Sequence, residues 1–198
     1  EFLHRIVLTD IKPPVFHELM RVHGKKLNSW VYEELRQRIP DLDPVFMAKM
    51  QRHFDEPQEN YLEKKLLRAA HYLATQWEFG IIYHFNQGIY GVEETKAAIE
   101  SEIEDHYDLA GVQKLSLKGK TSKFVDLVGQ LRFQKRWAQS PRVPETSVMG
   151  HVLIVAALAY FCAVKMQASD ERIVNDFLCG LFHDLPEVLT RDIISPIK

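Results

Sequence analysis

The stretch Val148-Met-Gly-His-Val-Leu-Ile-Val-Ala-Ala-Leu-Ala-Tyr-Phe-Cys-Ala-Val-Lys-Met166 decides the fold. Only His151 and Lys165 are strongly polar in it. It has no strand-like alternation and just reaches the length of a membrane span. Its setting argues for a buried core helix instead. A histidine lies inside it, no basic cluster flanks it, and a comparably apolar partner, Ile173–Phe182, follows. The sequence therefore predicts an all-α protein packed around this helix.

Working outward, the reading stays helical. Pro13-Pro14 opens a segment to about Val22, closed by Gly24. Asn28 or Ser29 can cap Trp30–Arg38. Asp43-Pro44 looks like a cap with proline in the first turn of Val45–Phe54. Glu63–Phe85 carries Leu66, Leu67, Ala70, Leu73, Ala74, Trp77 and Ile81 at helical spacing, and Gly88 to Gly91 break it. Glu93–Ile103 is helical, 110–122 is expected as a lysine-bearing loop, and Phe124–Trp137 is helical again. Ser147 caps the His151 helix, Ser169-Asp-Glu171 starts the next, and Pro186 restarts a short one.

Composition is that of an ordinary soluble chain: 46% apolar, 26% charged, net charge −2. No global charge recruits nucleic acid or an anionic membrane. The lysines at 114, 118, 120 and 123 read as a solvated loop. Cys162 and Cys179 lie in apolar surroundings and read as reduced core residues, which points to the cytoplasm.

The chemistry gathers near the C-terminus. His151 heads the apolar helix, and His183-Asp184 lies in Gly180-Leu-Phe-His-Asp-Leu-Pro-Glu-Val-Leu-Thr-Arg-Asp192. Two imidazoles and a carboxylate are common ligands of first-row divalent ions. Adjacent side chains on a helix point about 100° apart, so His183 and Asp184 can share one ion only at a bend or helix end. Pro186 favours that bend. His71, His84 and His106 lack such neighbours and read as ordinary core or surface histidines.

The pattern His151…His183-Asp184 resembles the HD-domain metal-dependent phosphohydrolase superfamily. It is closest to the branch of bacterial deoxynucleoside 5′-monophosphatases, through His183-Asp-Leu-Pro-Glu-Val-Leu-Thr-Arg-Asp-Ile-Ile-Ser-Pro-Ile-Lys198 and the upstream Arg136-Trp137. The likeness covers about residues 124–198, while Leu67–Phe79 looks like larger HD-domain proteins with extra helices.

The resemblance implies an HD-domain helical bundle over 111–198, cut short at its C-terminal end, with an N-terminal helical region, 1–110, packed on it. It implies that His151, His183 and Asp184 ligate a divalent ion, with Mn, Co, Mg, Zn and Fe all compatible. Glu187 would handle a water proton or the leaving group, and Asp192 would sit beside sugar or phosphate. Arg136 would bind phosphate, with Arg142 the competing choice, and Trp137 would press on the sugar. Gly150 stands where the family has an acidic or polar residue. The family's fourth ligand, an aspartate on a later helix, is not reached before Lys198, so a weakened site is expected in this form.

The implied activity is a 5′-nucleotidase-like phosphomonoesterase acting on a nucleoside monophosphate or similar small phosphate. Neither nucleic acid nor membrane is expected as a partner, and a homo-oligomer is compatible with the sequence. The alternative is an HD-fold regulatory or ligand-binding module with weak or no catalysis.

Overall fold

The computed structural model describes residues 2–9, 11, 13–41, 43–55, 61–137 and 143–190. Its elements are α1 (Phe2–Leu8), α2 (Pro13–Arg38), α3 (Pro44–Asp55), α4 (Tyr61–Phe85), α5 (Val92–Glu104), α6 (Ala110–Ser116), α7 (Lys120–Gly129), a 3₁₀ turn (Gln130–Arg132), α8 (Val148–Lys165), α9 (Asp170–Phe182) and α10 (Glu187–Thr190). The described residues contain no strand, only an isolated antiparallel bridge between Lys135 and Ser147. The fold is all-α, as the sequence predicts.

The chain divides into two compact units, residues 1–60 with 161–173, and residues 61–160 with 174–198. In the first, Val7, Val31, Leu35, Met47, Met50 and Phe54 form the core. Buried His4 contacts the Phe16 and Phe54 rings and shares a 2.7 Å hydrogen bond with Asn28 Oδ1. Asn28 Nδ2 donates to the Phe54 carbonyl, so this residue ties three segments together and caps nothing. The break expected at Gly24 is a kink: α2 runs on through His23, whose φ/ψ of −125°/18° are non-helical. At α3 the expected cap is present, with Asp43 Oδ1 accepting from the N–H groups of Val45 and Phe46.

In the second unit, Ala69 of α4, Ile99 and Ile103 of α5 and Val112 of α6 share one core cluster. Residues 110–122, expected as a loop, instead contain α6 and the start of α7, because Val112 is buried against that cluster and its apolar contacts hold a short helix. The helix expected to reach Trp137 ends early. Lys135 bridges to Ser147, and Arg136 N–H and Val148 N–H bond the carbonyls of Thr146 and Gln134 at 2.9 Å, which requires extended backbone.

A further cluster, Leu131, Val148, Val152 and Val188, joins the 3₁₀ turn, α8 and α10, with Leu181 and Leu185 packed against it. Here the expectation of a wholly buried α8 is corrected. Val148, Val152 and Ala156 are buried, whereas Leu153, Ile154 and Leu158 are about half exposed, and Cys162 of α8 and Cys179 of α9, expected in the core, are exposed as well. The neighbours supply enough surface for one stripe, while the sequence is apolar around most of the circumference. By length and composition alone α8 could cross a membrane.

One close approach sets how α9 meets α8. A Cβ on Gly180 would lie 2.8 Å from Ala156 Cα and 3.0 Å from its nitrogen, backbone atoms that cannot turn aside. Gly180→Ala is therefore expected to lower the melting temperature, since overpacking costs about 1–3 kcal/mol and exceeds the ~1 kcal/mol that alanine gains in helix propensity. A Cβ on Gly80 in α4 would meet nothing within 4 Å. Gly80→Ala should shift the transition upward by the propensity difference. Calorimetry of both variants checks the opposite signs.

Candidate metal centre

His151 stands in the first turns of α8. Ser147 Oγ starts that helix by accepting the Gly150 N–H at 3.1 Å. His183 and Asp184 lie where α9 ends and the chain turns into α10. The turn is closed by Leu185 N–H on the Phe182 carbonyl and Glu187 N–H on the Asp184 carbonyl, at 3.1 and 3.0 Å. The two adjacent side chains thus sit at the bend that a shared ion would need.

Their ligand atoms, one from each residue, lie within 4.8 Å of one another. Asp184 Oδ2 is 3.1 Å from His183 Nε2 and 3.5 Å from His151 Nε2. The two rings meet edge-on with centroids 5.3 Å apart. His183 Nδ1 lies 2.8 Å from the Gly180 carbonyl, which can only accept, so that nitrogen carries a proton. In a neutral ring the lone pair of Nε2 then faces the carboxylate. Two acceptors at that distance repel unless a proton or a cation lies between them. The donor set, two imidazoles and a carboxylate with one imidazole oriented by a backbone carbonyl, fits a divalent ion.

Arg136 Nη1 donates to Asp184 Oδ2 at 3.1 Å and so borders the cluster. Its backbone is fixed by the pairing with Thr146. Trp137 follows at a φ of 57° and is exposed. Glu187 opens α10, is 6% exposed, and is close enough to act electrostatically on His151. Arg142 and Asp192 lie outside the described residues. The structure therefore gathers His151, His183, Asp184, Arg136 and Glu187. Sequence reading missed Gly180. It sits one turn before His183, accepts the proton of its ring and lets α9 reach α8. Its signal was the small pair Ala156 and Gly180 on two apolar helices.

Burial holds the His151 imidazole below its ordinary value of 6.5, the Arg136 guanidinium adds to this, and Asp184 opposes it. The ring is thus kept neutral, as a ligand must be. As pH falls, the unfolded chain takes up this proton before the folded one. The contribution of His151 to stability therefore declines from just above pH 6.5 downward and levels off below the folded value. In chelator, NMR titration should show a His151 midpoint below 6.5, and His151→Asn should flatten the fall of stability across that window. A midpoint above 6.5 would refute the assignment.

Residues 128–198 match the HD domain family model. The chain is 32% identical over 80 residues to a 4′-phosphooxetanocin A phosphatase of Priestia megaterium, covering 39% of this chain and 41% of that protein. It thus spans about two fifths of the length of the curated relative it matches. No solved structure matches. Over residues 128–198, the stretch that carries His151, His183, Asp184 and the Arg136 beside them, the chain is similar to the HD domain family.

Proposed function

We propose that this protein is a metal-dependent phosphohydrolase, a phosphomonoesterase acting on a nucleoside monophosphate. The observation that carries the reading is the convergence of two imidazole nitrogens and one carboxylate within 4.8 Å, with a guanidinium on the rim. The phosphatase relative supports the reaction class. His151, His183 and Asp184 would hold the ion, which when bound supplies charge neutralisation and a water whose pKa drops toward roughly 7.

The remaining roles fall to the chain itself. Arg136 would turn from Asp184 to the phosphate, offering its planar pair of donors to two oxygens. Glu187, buried beside His151, would accept the proton of the attacking water and return it to the leaving oxygen. Asp192 would sit by the sugar. Trp137 would face the ribose and exclude a 2′-hydroxyl. Arg142 is the alternative phosphate contact. We place the protein in the cytoplasm, acting on a small phosphorylated substrate.

One observation favours a regulatory or ligand-binding module instead. The Arg136–Asp184 pair neutralises the carboxylate without any ion, as a scaffold that never turns over would require.

Release of inorganic phosphate from 2′-deoxynucleoside 5′-monophosphates, assayed with Mn²⁺, Co²⁺, Mg²⁺ or Zn²⁺ and with chelator, separates the two. Saturable turnover lost in chelator, lowered at least ~1,000-fold by His183→Ala and at least ~10-fold by Arg136→Ala, is the expected result. An Arg136→Ala variant within about threefold of wild type would pass the phosphate role to Arg142, because that change is under ~0.7 kcal/mol. Tight nucleotide binding without turnover under any of these metals would establish the module.

A further inference from the structure

A recess of about 720 Å³ opens in the second unit among α4, α5, α6 and α7. It shares no lining residue with the His151–His183–Asp184 cluster. Its volume is that of a small-molecule site, which runs to about 300–1,000 Å³. One wall is aromatic: Trp77, Phe79 and Tyr83 of α4, all half-buried. The lining also carries cations: Lys96 of α5, Lys118 in the turn between α6 and α7, and Lys123 of α7.

The aromatic wall is built to stay in place. Trp77 Nε1 donates to Asp126 at 2.9 Å, and its ring lies against Gly129, where a Cβ would come within 2.4 Å of it. The Tyr83 hydroxyl donates to Glu93 at 2.8 Å, and Lys96 Nζ sits 4.9 Å from the Tyr83 ring centre. Asp126 and Glu100 also line the recess, yet Lys96, Lys118 and Lys123 form no ion pair among the described residues. Lys118 also holds a φ of 50°, a left-handed backbone that non-glycine residues seldom adopt.

Gly80 is the second, independent mark. It lies inside the long helix α4, where glycine is the weakest ordinary helix former. It faces the recess, and a Cβ there would meet nothing within 4 Å. No packing inside the chain calls for glycine. The space beside it is open to a ligand.

We propose that this recess binds a nucleotide, its base against Trp77, Phe79 and Tyr83 and its phosphates among Lys96, Lys118 and Lys123. Stacking on aromatic rings accepts any base, and converging ammonium groups accept a polyphosphate. The wall is also joined to the HD domain's own segment. The Trp77 ring meets Phe133 at 6.1 Å between centroids, and Glu78 pairs with Arg132. The chain from there runs directly to Arg136, so Trp77 stands between the recess and the segment that presents the guanidinium to Asp184. The proposal does not rest on the phosphohydrolase reading.

The test is equilibrium binding of ATP to the full chain carrying His183→Ala, in chelator, so that the metal centre plays no part. Adenosine and inorganic triphosphate serve as the two halves of the ligand. ATP should bind saturably with Kd below about 1 mM, and each half at least ~10-fold more weakly. The double variant Lys118→Glu/Lys123→Glu and the filling variant Gly80→Phe should each weaken ATP at least ~10-fold with helical content unchanged. Lys114→Glu/Lys120→Glu, in the same charge run but outside the lining, should change it less than about twofold. The proposal is overturned by absent saturation, by triphosphate binding as tightly as ATP, or by equal loss in both lysine pairs. If Gly80→Phe does not fold, the lysine pairs decide alone.

Discussion

Everything at the candidate metal centre depends on one close approach of backbone to backbone. Gly180 lets α9 meet α8 at Ala156, with no side chain between them. A helix end is a poor place to hold ligands at a fixed separation, because its last turn frays. Here the last turn of α9 is pressed against a neighbour three residues before His183, and the same Gly180 carbonyl holds the His183 ring. The valines and leucines around Leu131, Val148, Val152 and Val188 then fix the turn from the other side. The spacing of two imidazoles thus follows from the absence of one methyl group.

Much of this was legible in the residues. Asp43 and Ser147 announce helix starts because a short polar side chain can take an orphan N–H only there. Pro186 announces the bend because its ring cannot continue α9. The pairing of His151 with His183-Asp184 was legible because ligand chemistry restricts which residues are worth bringing together. Other features were hidden for equally physical reasons. Gly24 is no stop, since α2 runs on through it with a kink at His23. Lysines at 114–123 mask α6 and the first turn of α7, and α6 owes its place to tertiary burial of Val112 more than to local preference. The extended pairing of 134–136 with 146–148 joins segments too far apart in sequence for periodicity to register.

The apolar helix α8 shows where pattern and packing part. Hydropathy counts residues around the whole circumference, whereas burial depends on what stands opposite each face. Val148, Val152 and Ala156 find partners, and Leu153, Ile154 and Leu158 remain open to solvent. A sequence reading that treats apolar as synonymous with buried merges two stripes that the fold treats differently.

The Arg136 contact with Asp184 bears on assembly. In many small metalloproteins the ligands repel one another until the ion arrives, so folding waits for the metal. Here the chain carries its own cation to the carboxylate, at 3.1 Å. An ion held by the proposed ligands would then have to replace the guanidinium on Asp184, so its binding would be an exchange of one positive group for another, answering to ionic strength.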